Sequence, residues 1–360
     1  MAAHRTALIT GVAGQDGIYL ARVLLERGYR VIGTSFSLAR HFPYLQGVEL
    51  IAFDIRNTDA MSELLRRERP DEIYNLAAIS SVGQSWQMAE KVAEVNGMSV
   101  LRLLELLVRL RDDLGYAPRF YQASSSEIYG MADQQPQDER TPHYPRSPYG
   151  TSKSFAHHLT VNYRESYGLY ACNGILFNHE SPIRPARFVT RKITRAVAEI
   201  SLGMRDQVTL GNLDARRDWG SAADYVEAMA EMLQQESAQD FVIATGEVAS
   251  IRDFVAIAFE AVGIEDPWAH VEFDAAYLRP ADVPQTWGRA DRARSALGWG
   301  PKVSLREVVA HMVQADIVRA KTGIEECRGY MFPNTVNDAL GLTPATHRHE
   351  CPSCAAGVAN

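Results

Sequence analysis

From residue 5 to 177, β-branched apolar runs alternate with stretches whose apolar positions recur every three or four residues. The runs over 6–10, 29–34, 49–53, 72–76, 120–123 and 171–177 predict strands. The stretches over 17–27, 59–67, 92–110 and 149–167 predict helices. This alternation implies an α/β fold built on a doubly wound parallel sheet, with helices on both faces. From 178 to 326 the elements shorten and mix. Helices are predicted near 188–202, 223–235, 251–262 and 304–322, and a strand near 208–210. This predicts a smaller α/β lobe, from which the chain can cross back to the sheet. No Gly/Ser-rich linker separates the two parts, so they are expected to share a cleft. Residues 327–360 lack periodicity and read as a C-terminal tail, partly disordered.

Composition narrows the function classes. The 360 residues are 46% apolar and 22% charged, and the formal net charge is -7. Without a basic run, a nucleic-acid surface is not expected. No apolar run approaches the roughly 20 residues that span a bilayer, so no membrane partner is expected either. A strand beginning at Thr6 leaves no space for a signal peptide. The four cysteines form no evident disulfide framework, which fits a reducing, cytoplasmic setting. His347, His349, Cys351 and Cys354 crowd the tail; their spacing is compressed, and no metal is expected.

Gly11-Val12-Ala13-Gly14-Gln15-Asp16-Gly17 follows the first strand and opens the first helix. Small residues there let the backbone approach a pyrophosphate, and the helix N-terminus offers N–H donors and partial positive charge. The spacing is G-x-x-G-x-x-G and resembles the extended branch of the short-chain dehydrogenase/reductase superfamily. That resemblance implies a dinucleotide on Gly11, Gly14, Gln15, Asp16 and Gly17. It adds Asp54 and Ile55 after the third strand, and Leu76, Ala77, Ala78 and Ser80 after the fourth. Gly33-Thr34-Ser35-Phe36 at the end of the second strand contains no acid for a ribose 2′-hydroxyl. Arg40 with the Thr and Ser hydroxyls suits a 2′-phosphate, so NADP is favoured and NAD is the alternative.

Ser147 can cap a helix and Pro148 suits its first position. Tyr149 and Lys153 then share a face of that helix. A nearby ammonium is expected to lower the phenol pKa and make Tyr149 a usable base. Ser125 would support the hydroxyl that Tyr149 deprotonates. Glu127, two residues on, adds a second base able to take a carbon-bound proton once the neighbouring carbon is a ketone. The order would be oxidation at C4, proton loss from C5, water loss from C6 and hydride return to C6.

The long matches are more specific. Phe120-Tyr121-Gln122-Ala123-Ser124-Ser125-Ser126-Glu127-Ile128-Tyr129-Gly130 resembles the active-site strand of the GDP-mannose 4,6-dehydratases. Asn173-Gly174-Ile175-Leu176-Phe177-Asn178-His179-Glu180-Ser181-Pro182 and Leu210-Gly211-Asn212-Leu213-Asp214 extend the resemblance into the second lobe. It implies that residues 1–177 mainly bind the dinucleotide and carry Tyr149 and Lys153. It implies that 178–326 mainly bind a GDP-sugar, through Asn178, Val189, Lys192, Leu210, Gly211, Arg217, Arg279 and Asp282, with Ser126 of the first part also at the substrate. His179 and Arg184 would lie near the cofactor. A homodimer through the helices over 92–110 and 149–167 is the family arrangement, with a tetramer as the alternative.

Departures gather at the cofactor and sugar. Phe36 and Ser37 stand where the family carries arginines, Ile183 and Pro185 replace Arg and Gly, and Ser81 replaces His. A related GDP-sugar such as a GDP-heptose is therefore an alternative substrate. A GDP-sugar 4-epimerase or reductase is an alternative reaction, and a catalytically silent cofactor-binding sensor is the alternative from another class.

Overall fold

The computed structural model describes residues 5–36, 43–278 and 280–333. The chain runs β1 (Thr6–Thr10), α1 (Gln15–Glu26), β2 (Arg30–Ser35), β3 (Glu49–Ala52), α2 (Thr58–Glu68) and β4 (Glu72–Asn75). Two short helices, α3 (Val82–Ser85) and α4 (Ala89–Ala93), lead through a π-helical turn at Glu94–Met98 into α5 (Ser99–Leu114). β5 (Arg119–Ala123), α6 (Pro148–Tyr167) and β6 (Ala171–Leu176) complete the regular alternation. Then come β7 (Asn178–Glu180), α7 (Val189–Ser201), β8 (Val208–Leu210), β9 (Arg216–Arg217), β10 (Trp219–Ser221) and α8 (Ala222–Met232). The remainder is β11 (Phe241–Ile243), β12 (Ala249–Ser250), α9 (Ile251–Glu260), β13 (Val271–Phe273), β14 (Gln285–Thr286), α10 (Asp291–Leu297) and α11 (Leu305–Thr322).

One seven-stranded sheet has the order β11-β6-β5-β4-β1-β2-β3. All its pairings are parallel. Side chains alternate across it, as strand geometry requires. Ala7, Ile9, Tyr74 and Tyr121 join one core with α1 and α8. Leu8, Ile73 and Phe120 join the other with α2 and α5. Both faces are covered, which is why the central strands read as continuous apolar runs. Strand order reverses between β1 and β4, and such a switch point leaves a crevice at the carboxyl ends of the strands. A buried polar ladder fixes those ends: Thr10 Oγ1 donates to Asn75 Oδ1 (2.7 Å), and Asn75 Nδ2 donates to Gln122 Oε1 (2.8 Å).

The second lobe is a separate apolar cluster of α7, α9 and α11, including Ile193, Val197, Phe254, Val309 and Met312. The chain does cross back: α8 packs on α1, and β11 pairs with β6. Strands β7, β9, β10, β12 and β14 escape the sequence pattern because two or three residues carry no measurable period. The expected tail begins later than 327. Cys327, Tyr330 and Met331 are buried, and the Tyr330 hydroxyl donates to Ile324 O (2.7 Å). The His and Cys residues of the tail lie outside the described residues. Cys172 is free and buried, whereas Cys327 is disulfide-bonded, a pairing that the cysteine spacing does not announce. Among the described residues no helix is long and apolar enough to cross a membrane.

A buried ion cluster joins α7 to α11. Arg191 Nε donates to both Asp316 carboxylate oxygens (2.9 and 2.8 Å), and Arg319 Nη1 reaches Asp316 Oδ1 at 3.1 Å. Arg191 Nη1 also donates to the carbonyls of Pro182 and Arg184, both at 2.9 Å. The Asp316 side chain is 1% exposed, so removing it strands two guanidinium groups away from water. Asp316→Ala should therefore cost about 3–5 kcal/mol of unfolding free energy. Denaturant titration measures this; a loss below about 1 kcal/mol would contradict the role given to the cluster.

Candidate active site

A cavity of about 740 Å³ lies between the sheet and the second lobe, where β4, β5 and β6 end. Such a crevice is where open parallel sheets place ligands. Beyond β5 the chain makes a 3-10 turn at Ser126–Ile128, and Ser125 Oγ accepts from Glu127 N (3.3 Å). At the start of α6, Ser147 Oγ accepts from Gly150 N (3.0 Å) and Pro148 occupies the first helical turn, as the sequence predicts. These two segments meet closely, and a Cβ on Gly150 would lie 2.6 Å from Glu127 O. The contact brings Ser125, Ser126, Glu127, Tyr149 and Lys153 to one wall of the cavity.

The electrostatics differ from the expectation for Tyr149. Burial pushes its hydroxyl up to about 12, against a hydrogen bond with Ser125 that pulls it down, and the Glu127 charge adds to the rise. Lys153 does not lower it in the ligand-free chain. Its Nζ donates to Ala123 O (2.8 Å) and stands 5.9 Å from the centre of the Tyr149 ring. Burial brings Lys153 itself down to about 8. The Glu127 carboxylate makes no hydrogen bond or ion pair among the described residues, although its backbone is fixed.

The dinucleotide turn has the shape its glycines require. Gly11 has φ +71°, and a Cβ there would lie 2.8 Å from the Ala77 backbone. A Cβ on Gly17 would lie 2.6 Å from Val12 Cα. Gly14 caps α1 without a side-chain hydrogen bond, so no side chain at the cap satisfies the first N–H groups of the helix. Gln15 Nε2 donates to His179 O (3.1 Å), and Asp16 Oδ1 lies 2.9 Å from His179 Nε2. Burial alone would raise the Asp16 carboxyl; the His179 charge and the hydrogen bonds from His179 and Gln15 hold it down to about 2. Asp16 in turn raises His179 against its burial.

Asp16, Leu76, Ala78, Ser80, His179 and Arg184 line the cavity, and so do Asn178, Val189, Lys192, Leu210, Gly211, Arg217 and Asp282. Gly11, Gly14, Gln15 and Gly17 belong to the adjoining turn and first helix, with the Ala77 backbone against Gly11, rather than to the cavity wall. Asp54 and Ile55 follow β3, where Asp54 binds Arg56 (2.6 Å). Arg40 and Arg279 lie outside the described residues. Arg217 Nη1 donates to Val283 O (2.9 Å), and its Nη2 stands 3.6 Å from Asp282. Lys192 Nζ lies 3.7 Å from the centre of the Tyr277 ring.

Sequence reasoning missed several wall residues. Arg187 and Tyr277 line the cavity, and their signal, a third cation beside Arg184 and an aromatic two residues before Arg279, is slight. Asn96 sits in the π-helical turn, where its side chain bonds both Ile79 N (2.8 Å) and Ser152 Oγ (3.2 Å). Three histidines also gather behind the wall that carries Tyr149 and Lys153. The His143 ring centre lies 4.9 Å from that of His157 and 4.6 Å from that of His158. Burial, then the neighbouring imidazoles, brings His143 down to about 3; burial brings His157 down to about 4.

The family model for GDP-mannose 4,6 dehydratase matches residues 8–312. A GDP-mannose 4,6-dehydratase of Yersinia enterocolitica is 45% identical over 88% of this chain and 95% of its own length. The human GDP-mannose 4,6 dehydratase is 45% identical over 89% of this chain and 93% of its own. Among solved structures, the UDP-glucose 4-epimerase of Thermus thermophilus in complex with NAD aligns with a TM-score of 0.75 at 26% identity. It covers 86% of this chain and 98% of its own. The UDP-glucose 4-epimerase of Thermotoga maritima with UDP-glucose aligns with a TM-score of 0.77 at 24% identity, over 88% and 99% of the two chains, and shows the shared fold.

Buried and half-buried histidines make stability depend on pH. His143, His157 and His311 have folded pKa values below the ordinary 6.5, and among the described residues His179 has a raised one. Below about pH 6.5 the unfolded chain takes up protons that these three rings refuse. Stability should therefore fall from pH 6.5 toward 4, with His179 offsetting part of the loss. For His157 the slope approaches about 1.4 kcal/mol per pH unit. Urea midpoints at pH 7, 6 and 5 measure this; a midpoint that rises on acidification would contradict it.

Proposed function

The chain belongs to the GDP-mannose 4,6-dehydratase family, and from that premise we propose that it converts GDP-mannose to GDP-4-keto-6-deoxymannose by loss of water. The observation that carries this reading is the free Glu127 carboxylate on the same wall as Ser125, Tyr149 and Lys153. The pinched turn at Gly11, closed against the Ala77 backbone, fits a dinucleotide pyrophosphate. We take the cofactor to be NADP rather than NAD, since the described end of β2 offers Thr34 and Ser35 hydroxyls and no acid. When bound, an oxidised nicotinamide would supply positive charge and the capacity to take up and return a hydride.

The chain's own groups do the rest. The Ser125 hydroxyl, on the same wall, pulls the Tyr149 pKa down against its burial. Tyr149 is protonated in the ligand-free chain and takes the O4 proton only when the charge of the occupied site favours phenolate. Lys153, anchored on Ala123 O, is suited to the nicotinamide ribose. Glu127 removes the C5 proton, which is acidic only beside a C4 ketone, and returns a proton to the departing C6 hydroxyl. Residues 178–326 mainly bind the GDP part, with Arg217 and Lys192 supplying charge for its diphosphate. A GDP-heptose is the second reading, favoured by Ser81 on the cavity wall.

We also propose a homodimer through α5 and α6. An apolar groove of about 750 Å³, lined by Trp86, Met98 and Phe155, lies beside these helices and supports that contact. A cytoplasmic setting is proposed too, and the disulfide at Cys327 is the observation that counts against it.

Glu127→Gln tests the reaction. The variant keeps the shape of the wall and should still bind GDP-mannose. Its output of 4-keto-6-deoxy product, followed by NMR, should fall by at least about a hundredfold. A variant that retained full turnover would remove the dehydratase assignment and leave a 4-epimerase or reductase.

A further inference from the structure

The face of α6 that carries Tyr149 and Lys153 continues, one turn on, to His157. All three side chains are buried. His157 Nδ1 lies 3.2 Å from Ser124 Oγ, and Ser124 is the first hydroxyl of the triplet that ends β5 and lines the cavity. His157 Nε2 faces the Asp240 carboxylate at 4.0 Å. Asp240 is fixed in turn: Arg164 donates to its two oxygens at 2.7 and 2.9 Å, and Asn173 N donates to Oδ1 at 2.7 Å. A buried serine, histidine and aspartate thus stand in line from the cavity wall to the entry of β11.

We propose that His157 is a positioning residue that acts through Ser124, accepting the Ser124 hydroxyl proton and leaving Ser124 Oγ as an acceptor for a hydroxyl of the substrate sugar. The tautomer follows from the charges around the ring. Asp240 stays ionised beside Arg164, and its negative charge favours the imidazole proton on Nε2. Nδ1 then carries only a lone pair, so the serine must be the donor. The other groups facing the ring do not add a proton. His143 and His158 pack against it at 4.9 and 5.7 Å between centres, and Arg164 repels a second charge. Burial keeps the ring neutral down to about pH 4. It therefore donates nothing to the reaction near neutrality and serves as a fixed acceptor.

The consequence lies in the cavity. A serine has one proton and two lone pairs. Once that proton is committed to Nδ1, Ser124 meets the ligand only as an acceptor. Its neighbour Ser125 accepts from Glu127 N (3.3 Å) instead. Ser124 is thus suited to a hydroxyl donor on the ring held over Tyr149, and a ring lacking that hydroxyl would leave its oxygen unpaired. The ligand class, a hydroxylated sugar, rests on the dehydratase reading above, whereas the bond between His157 and Ser124 does not.

Two measurements on the full chain test this. In ¹⁵N-histidine NMR at pH 7, His157 should show a protonated Nε2 and a bare Nδ1, and Ser124→Ala should shift the Nδ1 signal. A protonated Nδ1 would overturn the proposal whatever the substrate. In steady-state turnover of GDP-mannose, Ser124→Ala and His157→Phe should each lower kcat/KM about tenfold, the loss expected for one hydrogen bond. The double variant should again lose about tenfold, because both changes remove the same interaction. His157→Asn, whose Oδ1 can take the place of Nδ1, should recover most of the activity. A hundredfold loss in the double variant, or a His157→Phe protein with lowered Tm and unchanged kinetics, would reduce His157 to packing. If the unsubstituted chain leaves GDP-mannose untouched, the substrate reading fails, and the NMR experiment still decides the bond.

Discussion

The first turn of α6 lies so close to the 3-10 turn after β5 that no side chain fits at Gly150. This contact of backbone on backbone sets the active wall. It fixes the start of the helix against the Glu127 carbonyl, and the helical repeat then fixes Tyr149 and Lys153 relative to Ser125. Lys153 tightens the same joint from one turn along, by donating to Ala123 O (2.8 Å). Four side chains from two distant stretches thereby act as one group. The remaining supports, Ser147 as cap and Pro148 in the first turn, fix where the helix begins.

Charge holds the cavity's opposite sides in relation to each other. Asp16 belongs to the first turn of α1 and His179 to β7, so their 2.9 Å contact ties the dinucleotide turn to the entrance of the second lobe. Arg191 and Asp316 do the same one layer out, clamping the carbonyls of Pro182 and Arg184 to α7 and α11. The Arg191–Asp316 pair is buried, where a broken partner costs more than an intact one contributes, and Asp16 is half-buried against a buried His179. The cleft is thus bounded by segments tied to one another by charged hydrogen bonds. Burial also explains why Tyr149 is a weak acid in the ligand-free chain. A low-dielectric wall penalises phenolate until a cation joins it, which couples deprotonation to occupancy.

The sheet was legible because its central strands are buried on both faces and read as unbroken apolar runs. The α6 site was legible because a cap, a proline and an i, i+4 pair are all local signals. The dinucleotide turn was legible for the same reason, and its glycines are required by the approach of Ala77. What the sequence could not display depends on residues far apart in the chain. His157 meets Asp240 only after β11 has rejoined β6, and α8 reaches α1 by the same return. The two-residue strands β9, β12 and β14 exist through their pairing with each other. The pKa of Tyr149 was misjudged because sequence spacing reports the neighbour Lys153 but not the burial that outweighs it.

In the proposed reaction Glu127 separates the removal of water from simple oxidation or epimerisation at C4, and the hydride taken from C4 returns to C6 of the same sugar. The most direct measurement follows GDP-mannose deuterated at C4 through turnover with a catalytic amount of NADP. Deuterium at C6 of a 4-keto-6-deoxy product is the predicted result. Deuterium retained at C4, or no keto sugar with either nicotinamide cofactor, would contradict the account.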